Sequence, residues 1–409
     1  MPKTHDIDGV ILNVINPMLG IGGQGHVEHV VLTSDPTTSL VLKHMPTSPE
    51  MQKRVKALID LALPSLSPYL AAPMAMTETN GEVLHIAPFV VGDDLLSSNG
   101  TLPEHMEQAL LFAILTTILE ENGIAHGDIA PSNIMIDVEG GVHLIDFDNF
   151  DVKDGHTPKP TMAGQHMMLA PEIRQNKNQP PNIKSDRYSF AIIYNLLLLR
   201  RHPADQANTP SELDDILTCG YWAERDKAAE QDDVPIEALG QELPRLFDDA
   251  FLLNPDMRPS ADDWRQALTR ALKAMVVHDC GNAFVHHHGQ SICPWCHGNI
   301  DGERILSIKR LKITIPSSGA RYGVDLQDGQ TAVLGRSNLG QGAEKVSGKH
   351  LEITPSGNRI FLRHLGRNPT AILKNGKWYN LRETWIAYDE MAQAPISFKL
   401  ADMLIDIGM

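Results

Sequence analysis

Three side chains in the middle of the sequence have the spacing of groups that act on one substrate. His126, Gly127 and Asp128 follow a predicted helix, and Asn133 stands five residues after Asp128, which fits the pattern H-x-D-x-x-x-x-N. Asp146 follows thirteen residues after Asn133, behind an apolar strand. An aspartate can orient an attacking hydroxyl, while an asparagine and a second aspartate can hold Mg2+ on the phosphates of a nucleotide. We therefore expect Asp128 to be catalytic and Asn133 and Asp146 to bind Mg2+.

A glycine-rich segment and a lysine precede these residues in the order that nucleotide binding requires. Gly20, Gly22, Gly25 and Val27 fit the pattern G-x-G-x-x-G-x-V, in which glycines let backbone amides approach a polyphosphate. Lys43 ends a short apolar run eighteen residues after Gly25 and could hold the α- and β-phosphates. Taken alone, a plain hairpin and a solvated lysine at a strand end explain these two features equally well.

Three further features extend the order of motifs towards residue 275. They are the segment Ala170-Pro171-Glu172, Asp186 at the start of an apolar helix, and Arg258. The ordered set resembles the catalytic domain of bacterial eukaryotic-type Ser/Thr protein kinases. The resemblance implies an α+β fold with two lobes, and ATP and Mg2+ as ligands. It also implies that Glu172 and Arg258 form an ion pair and that Asp186 braces the loop of Asp128.

The same resemblance predicts which residues contact the adenine of the nucleotide. It also implies that an acid pairs with Lys43. The hinge that contacts the nucleotide would consist of Pro88, Phe89 and Val90. An acid on the following helix normally pairs with the lysine. We favour Glu50, which would then belong to the nucleotide site, although Asp60 has the more usual separation from Lys43. The alternative for Glu50 is an exposed acid in the first helical turn, favoured by the helix dipole.

Four positions depart from the family pattern. Gly127 replaces the arginine that usually precedes the catalytic aspartate, and Asp148 replaces the glycine after Phe147. Ala130 replaces a lysine near the γ-phosphate, and Gln165 replaces the threonine that faces this lysine, so these two changes look coordinated. Activation by a phosphate that pairs with the missing arginine is therefore not expected. Loss of the lysine contact costs on the order of 2–4 kcal/mol in the transition state unless another group substitutes for it.

Three cysteines cluster between residues 280 and 296, which favours a metal site over disulfides in an intracellular chain. Cys293 and Cys296 form a C-x2-C half-site for tetrahedral zinc, and Cys280 is the third candidate ligand. For the fourth ligand we favour His286, because strand geometry would place it on one face with His288. The other candidates are His287, His288 and, further away, His278 and His297.

A redox role of the Cys-Pro-Trp-Cys segment is the rival interpretation of these cysteines. It requires a thioredoxin-like βαβ unit, and no such pattern surrounds the segment. The segment is similar to the small zinc ribbons that follow some bacterial kinases. These kinases are grouped with von Willebrand A proteins and PP2C-type phosphatases, which the resemblance therefore implies as partners.

The last hundred residues have the pattern of an all-β domain with a phosphate reader. Short strand-like runs are separated by Gly, Pro, Asn and Ser, as in a β-sandwich of about 100 residues. Arg336, Ser347 and Asn368 supply a cation, a hydroxyl and an amide on loops, and a rigid scaffold could bring such loops to one end.

Residues 305–409 resemble a forkhead-associated (FHA) domain, whose motifs are G-R, S-x-x-H and N-x-T. The resemblance implies that Arg336 and Ser347 bind the phosphate of a phosphothreonine and that Asn368 holds the peptide backbone. Arg367 would add a phosphate contact, and His350 would brace the loop of Ser347.

Composition excludes several classes of partner. The 409 residues carry a formal net charge of −16, with a pI near 5.5, which argues against extended binding to nucleic acid or to anionic lipid. The longest apolar run, Phe190 to Leu199, has about half the length that a membrane helix needs. Since the N-terminus has no apolar signal segment, we expect a cytoplasmic protein.

Taken together, the patterns predict three domains: a protein kinase domain over 1–276, a zinc ribbon over 277–300 and an FHA sandwich over 305–409. The kinase would transfer the γ-phosphoryl group of ATP to Ser or Thr of protein substrates. The FHA domain would recruit a phosphothreonine protein or peptide. A pseudokinase scaffold is the alternative, favoured by Gly127, Ala130 and Asp148. A small-molecule kinase shares only the H-x-D-x-x-x-x-N motif.

Overall fold

The computed structural model divides the chain into two units, Met1–Lys273 and Ala274–Met409. The residues that the structure describes are 3–22, 25–97, 100–137, 140–160, 164–176, 178–226, 233–300, 306–327, 330–340, 342–356, 359–374, 376–387, 391 and 394–408. The predicted boundary after residue 276 lies close to the observed division. The Cys/His segment was predicted as a domain of its own. It lies within the second unit instead, where the strand just before the segment (275–277) pairs both with a strand inside it (283–285) and with the strand that follows it (306–315).

Six antiparallel strands form the sheet in the N-terminal half of the first unit, in the order β1-β2-β3-β4-β6-β5. Alternate residues such as Leu40 and Leu42 face one apolar core, as expected of a sheet with one buried face. The strands are β1 (Thr4–Ile7), β2 (Val10–Gly22), β3 (Gly25–Leu32), β4 (Ser39–Pro46), β5 (Ala75–Thr79) and β6 (Glu82–Pro88).

Helix α1 (Pro49–Leu61) interrupts this sheet between β4 and β5. Its start is well defined, because Ser48 accepts a hydrogen bond from the amide of Met51 at 3.0 Å and a proline takes the first helical position. The short helix α2 (Leu63–Leu66) follows. The buried residues of α1 are Arg54, Val55 and Leu58.

The rest of the first unit is mostly helical, as the sequence pattern predicts. Its core is aromatic: Phe112 meets Tyr194 edge-on, and the rings of Tyr194 and Trp264 lie 4.4 Å apart. The helices are α3 (Leu102–Glu121), α4 (Pro171–Gln175), α5 (Ile183–Leu199), α6 (Pro210–Leu217), α7 (Glu242–Ala250) and α8 (Ala261–Lys273). The short strands are β7 (Gly92–Asp94), β8 (Ile124–Ala125), β9 (Ile134–Asp137), β10 (Val142–Leu144) and β11 (Asp151–Val152).

The hairpin of β9 and β10 positions two of the predicted site residues. Asn133 directly precedes β9, and Asp146 lies just beyond the end of β10. The amide of Ile145 donates a hydrogen bond to the carbonyl of Asn133 at 3.0 Å. Because the two strands are antiparallel, the hairpin brings residues thirteen positions apart to the same end.

In the second unit, two antiparallel sheets enclose one apolar core. Leu311, Phe398 and Ile407 from one sheet and Leu351 and Leu362 from the other belong to this core. The strands are β12 (Met275–Val277), β13 (Ala283–Val285), β14 (Leu306–Ile315), β15 (Ala320–Gln327), β16 (Ala332–Leu334), β17 (Leu351–Ser356), β18 (Arg359–His364), β19 (Thr370–Lys374), β20 (Lys377–Leu381), β21 (Glu383–Ala387), β22 (Ile396–Leu400) and β23 (Met403–Gly408). A short helix, α9 (Arg336–Leu339), follows β16.

Membrane-spanning helices are not found in the part of the chain that the structure describes, because no helix there combines the necessary length with sufficient apolar character.

Candidate active site

A cleft of about 510 Å³ in the first unit collects most of the predicted nucleotide-binding residues. Its walls are mainly apolar, and charged groups lie at one end, as in sites that bind a flat base and a charged tail. The predicted residues that line it are Gly20, Val27, Lys43, Pro88, Phe89, Val90 and Asp146. Gly22 and Gly25 lie next to the cleft lining, at the turn between β2 and β3. A side chain at Gly25 would collide with the carbonyl of His44, since its Cβ would lie 1.7 Å from that oxygen.

Lys43 is held by two carboxylates at the charged end of the cleft. Its Nζ lies 2.7 Å from Oδ1 of Asp146 and also donates a hydrogen bond to Asp148. Burial works against the charge of Lys43, but the two aspartates outweigh it and raise the pKa of the lysine. Burial raises the pKa of Asp148 to about 6, whereas Lys43 holds the pKa of Asp146 below its ordinary value despite burial. Both acids therefore contribute to positioning the ammonium group.

Asp128 and Asn133 are joined within one loop. The side-chain amide of Asn133 donates a hydrogen bond to the carbonyl of Asp128 at 2.8 Å. Oδ1 of Asp128 accepts a hydrogen bond from the amide of Gln165 at 3.1 Å. Since the nitrogen of Asn133 is committed to Asp128, its side-chain oxygen is the atom that can bind a cation.

Buried Asp186 braces this loop in the way that the resemblance implies. Oδ2 of Asp186 accepts a hydrogen bond from the amide of His126 at 2.6 Å, and its carboxylate also accepts one from the amide of Gly127 at 3.2 Å. Burial raises the pKa of Asp186 to about 7, although the two amides oppose this shift.

The geometry of Gly127 explains the missing arginine. Its φ is +77°, in the left-handed region, and a Cβ built on it would lie only 2.1 Å from the carbonyl oxygen of Asn149. The backbone at this position therefore excludes any side chain, so an arginine would need a different loop conformation.

Gln165 and Ser132 connect the activation segment to the loop of Asp128. The side-chain amide of Gln165 donates a hydrogen bond to the hydroxyl of Ser132 at 2.6 Å. Ala130 is fully buried, and its methyl side chain cannot replace the polar contact of a lysine. Gln165, at the position of the missing threonine, thus contacts Ser132 in place of the missing lysine.

Glu172 and Arg258 form a two-pronged ion pair, with both oxygen–nitrogen distances at 2.7 Å. The guanidinium of Arg258 is fully buried and also donates a hydrogen bond to the carbonyl of Lys184 at 2.8 Å. Paired Arg–carboxylate groups of this kind are strong and directional. The pair ties α4 to the segment that precedes α8.

The sequence-based choice of Glu50 as partner of Lys43 is wrong. Glu50 is exposed in the first turn of α1, which is the alternative interpretation, and Asp60 is exposed near the end of that helix. The residue that α1 turns towards the site is Arg54, and it is buried. The apolar spacing of Val55 and Leu58 was the available signal, because it places residue 54 on the inward face of the helix.

The Cys/His segment gathers four potential metal ligands in the second unit. Cys280, Cys293 and Cys296 approach one another, and the fourth member is His278. The Sγ atoms of Cys280 and Cys293 are 3.9 Å apart, and Sγ of Cys296 lies 3.4 Å from Nδ1 of His278. Two sulfurs bound to one tetrahedral zinc at about 2.3 Å would be about 3.8 Å apart, so the spacing fits this ion.

The prediction of His286 as the fourth ligand needs correction to His278. The amide of His286 donates to the carbonyl of Ala274, which places this residue at the end of the β12–β13 hairpin and outside the cluster. Nε2 of His278 lies 3.3 Å from the carbonyl of Asn299, while Nδ1 faces Cys296 and lies 3.4 Å from the amide of Cys280, so Nδ1 is the nitrogen directed into the cluster. The spacing His-x-Cys on one turn, opposite C-x2-C on another, could have indicated His278.

Loops of the second unit bring together the four predicted phosphopeptide residues. Arg336, Ser347, Arg367 and Asn368 line one depression of about 630 Å³, together with Lys345 and Lys349. The hydroxyl of Ser347 accepts a hydrogen bond from the amide of Arg367 at 2.9 Å. Asn368 donates to the carbonyl of Lys345 at 2.7 Å.

Fully buried His350 holds the loop of Ser347 in place. The amide of Ser347 donates to Nδ1 of His350 at 3.0 Å, and the amide of Leu365 donates to the carbonyl of His350 at 2.8 Å. Gly366 packs against the ring, since a Cβ there would lie 2.7 Å from Nδ1. His350 therefore has the bracing position that the resemblance implies.

Comparison with known proteins identifies the family. Residues 14–269 match the protein kinase domain, and the chain belongs to this family. It is 25% identical over 231 residues to the SNF1-related protein kinase catalytic subunit alpha KIN12 of Arabidopsis thaliana. It is 28% identical over 255 residues to a protein kinase and PP2C-like domain-containing protein of Oryza sativa subsp. japonica, and 27% identical over 168 residues to the protein kinase kin1 of Schizosaccharomyces pombe.

These matches cover 55%, 52% and 39% of this chain and 43%, 38% and 18% of the relatives. The chain thus spans less than half the length of each of these relatives. The expected eukaryotic-type kinase domain with mixed helices and strands is confirmed.

Proposed function

We propose that this chain is an ATP-dependent protein serine/threonine kinase with a phosphothreonine-binding module. The observation that carries the first part is the convergence of Lys43 and Asp146, 2.7 Å apart, at the charged end of an apolar cleft. Asp128 and Asn133 lie on the loop beside Asp146, joined to it through the β9–β10 hairpin.

Each residue has a distinct task in this proposal. Lys43 holds the α- and β-phosphates, and Asp128 accepts and orients the hydroxyl of the protein substrate. Asp146, whose side chain is 41% exposed, and the side-chain oxygen of Asn133, which accepts only a long hydrogen bond of 3.5 Å from the hydroxyl of Ser132, are suited to hold Mg2+. When bound, Mg2+ neutralises the charge that develops on the phosphates. No arginine precedes Asp128, so the site does not require a phosphorylated activation segment to neutralise one.

A transfer assay with labelled ATP and Mg2+ tests this proposal. We expect label on Ser or Thr of a protein acceptor or of the chain itself, and its loss in an Asp128→Ala variant. Asp262→Ala, at the start of α8 with a side chain that is 42% exposed, is the matched control and should keep the activity. Absence of transfer with intact phosphopeptide binding would favour the pseudokinase alternative, and labelling of small molecules alone would favour a small-molecule kinase.

The Cys/His cluster supports structural zinc as a further part of the proposal. Four protein donors would close a tetrahedral site and leave no open position for a substrate. With His278 in place of His286, the site joins the turn after β12 to the turn that carries Cys293 and Cys296. Zinc would therefore stabilise the start of the second unit and not take part in catalysis.

The depression around Arg336 supports phosphothreonine binding by an FHA-type module. Arg336, Lys345, Lys349 and Arg367 surround it, with Glu344 as an acid at the same site. Three of these groups would suffice to offset a phosphate dianion, and Ser347 adds a hydroxyl donor. Titration with a phosphothreonine peptide and its unphosphorylated form tests the assignment. Equal affinity for both forms would contradict it.

The proposed partners follow from these two activities. They are protein substrates, a phosphothreonine protein or peptide and, from the resemblance of the Cys/His segment, a PP2C-type phosphatase and a von Willebrand A protein. The name of the Oryza relative, which combines a protein kinase with a PP2C-like domain, supports the phosphatase partner. A cytoplasmic location stays a prediction.

A further inference from the structure

Helix α1 and the residue after Phe147 have exchanged charges relative to the arrangement expected of the family. In protein kinases a glutamate from this helix pairs with the lysine. Here the helix supplies the cation Arg54, and the position of the usual glycine supplies the acid Asp148. The two residues are linked, because Asp148 contacts Lys43 through its side chain and Arg54 through its backbone carbonyl.

Two aspartates contact Lys43, and they differ in how far they are exposed to the cleft. The side chain of Asp148 is 8% exposed and contacts the ammonium group of Lys43, while that of Asp146 is 41% exposed and opens to the cleft. A metal that arrives with the nucleotide can reach Asp146 from the cleft. Asp148 stays beneath it, where the other ionisable groups nearby are His85, 4.0 Å from Oδ1, and Arg54.

Arg54 holds the backbone of Asp148. Its guanidinium donates a hydrogen bond to the carbonyl of Asp148 at 2.5 Å and another to the carbonyl of Pro158 at 2.8 Å. It also lies over the ring of Phe150, 4.8 Å from the centroid. A glutamate at position 54 would face two carbonyl oxygens, and this repulsion explains why the helix carries a cation.

We propose that Asp148 is the positioning residue for Lys43, and that Arg54 couples α1 to it through the backbone of Asp148. Lys43 is then held by Asp148 while Asp146 is free to bind the metal. In this arrangement α1 supplies no acid to Lys43, so the lysine keeps its partner without an ion pair that reaches across from the helix. This inference rests on the proposed kinase function and adds a residue to its mechanism.

Variants of Asp148 give the kinetic test. Asp148→Asn should lower kcat/KM for ATP at least about tenfold, since the lysine loses its buried counter-charge. Asp148→Glu keeps the carboxylate and should retain more activity than Asp148→Asn, whereas a role in packing alone would make the larger glutamate the more damaging change. Glu50→Gln should have no effect of this size. Wild-type activity of Asp148→Asn would overturn the proposal.

Coupling between Arg54 and Asp148 is the sharper test. Arg54→Met removes the hydrogen bonds to the carbonyls of Asp148 and Pro158 while a long side chain stays in the same place. We expect Arg54→Met to lower kcat/KM for ATP at least about fivefold in the wild-type background, and to have much less effect in Asp148→Asn, where Lys43 has already lost its counter-charge. Equal losses in the two backgrounds would overturn the coupling of Arg54 to Lys43 through Asp148.

A crystal structure with Mg2+ and a non-hydrolysable ATP analogue separates this inference from the proposed function. We expect Nζ of Lys43 to contact Asp148, and we expect Asp146 to bind the metal. Lys43 on an acid of α1, or Asp148 at the metal with Lys43 released, would overturn the inference even if the enzyme is active. If the wild-type chain transfers no phosphoryl group, the proposed function fails, and the same structure still decides which acid holds Lys43.

Discussion

The side-chain amide of Gln165 donates a hydrogen bond to the hydroxyl of Ser132 at 2.6 Å, and the backbone amide of Gln165 donates to Asp128 at 3.1 Å. One residue of the activation segment therefore contacts the catalytic loop at two points. The second contact places the segment beside Asp128, the proposed catalytic residue. Loss of the first contact should weaken the second, because the side chain restricts where the backbone amide can lie.

Gln165→Ala should lower kcat/KM for a protein substrate about fivefold, which corresponds to one hydrogen bond of about 1 kcal/mol. Ser132→Ala should have a similar effect, and the double variant should be no worse than either single one. Steady-state kinetics of the three variants checks this. Additive losses would mean that the two residues act independently.

Gly127→Ala should destabilise the first unit more than an ordinary glycine replacement. The new Cβ would lie 2.1 Å from the carbonyl oxygen of Asn149, in addition to the cost of a φ of +77°. Gly155→Ala is the matched control, since its φ is +72° and no atom lies within 4 Å of its Cβ. Thermal or urea unfolding should show a loss for Gly127→Ala that exceeds the control by about 1–3 kcal/mol. Equal losses would refute the steric explanation for the missing arginine.

Glu28 should contribute to stability in a pH-dependent way. Its side chain is 1% exposed, and burial alone would raise its pKa, but Lys3 and His5 outweigh burial and lower the pKa below the ordinary value of 4.5. An acid with a lowered pKa in the folded state stabilises the fold above its unfolded pKa, and this contribution disappears as the pH falls through the folded pKa.

Glu28→Gln should therefore lower the free energy of unfolding by about 1.5–3 kcal/mol near pH 7, the range for hydrogen bonds to charged groups. The difference from wild type should shrink as the pH falls below 4.5. Urea unfolding at several pH values measures it, with exposed Glu121→Gln as control. A difference that stays constant at all pH values would show that the charge of Glu28 is not involved.

Removal of a ligand from the Cys/His cluster should release the proposed zinc ion. Cys293→Ser and His278→Ala should each lose the bound zinc, about one ion per chain, and lower the unfolding temperature of the second unit. His286→Ala should keep the zinc, because His286 lies outside the cluster. Metal content by mass spectrometry is the measurement. Retention of zinc by His278→Ala together with its loss from His286→Ala would restore the original assignment.

Arg336→Ala should weaken the binding of a phosphothreonine peptide about 10–100-fold, as expected for a hydrogen bond between charged groups. Arg363→Ala is the matched control, because Arg363 pairs with Glu352 on β17 and does not line the depression. Calorimetric titration of both variants checks this. Similar weakening by the two changes would indicate a general loss of positive charge and not a specific phosphate contact.

The sequence by itself determined the order and type of the chemical groups. Lys43, Asp128, Asn133 and Asp146 could be found from the spacing of their motifs. Lys43 lies within β4, whereas Asp128 follows β8 and Asp146 follows β10. The ion pair of Glu172 with Arg258 could be inferred only through the resemblance, because 86 residues separate its members.

The tertiary structure decided which groups face one another. Sequence periodicity shows that residue 54 lies on the inward face of α1, but not that a residue 94 positions away meets it there. The fourth Cys/His ligand depends on packing in the same way: spacing makes His278 one of several candidates, and His278 and Cys296 approach because two turns pack together. The sequence alone shows that Gly127 replaces the usual arginine. The steric reason for a glycine there is the nearby carbonyl of Asn149, 22 residues further along the chain. Local pattern specifies elements and their faces, whereas contacts between distant segments depend on how those faces pack.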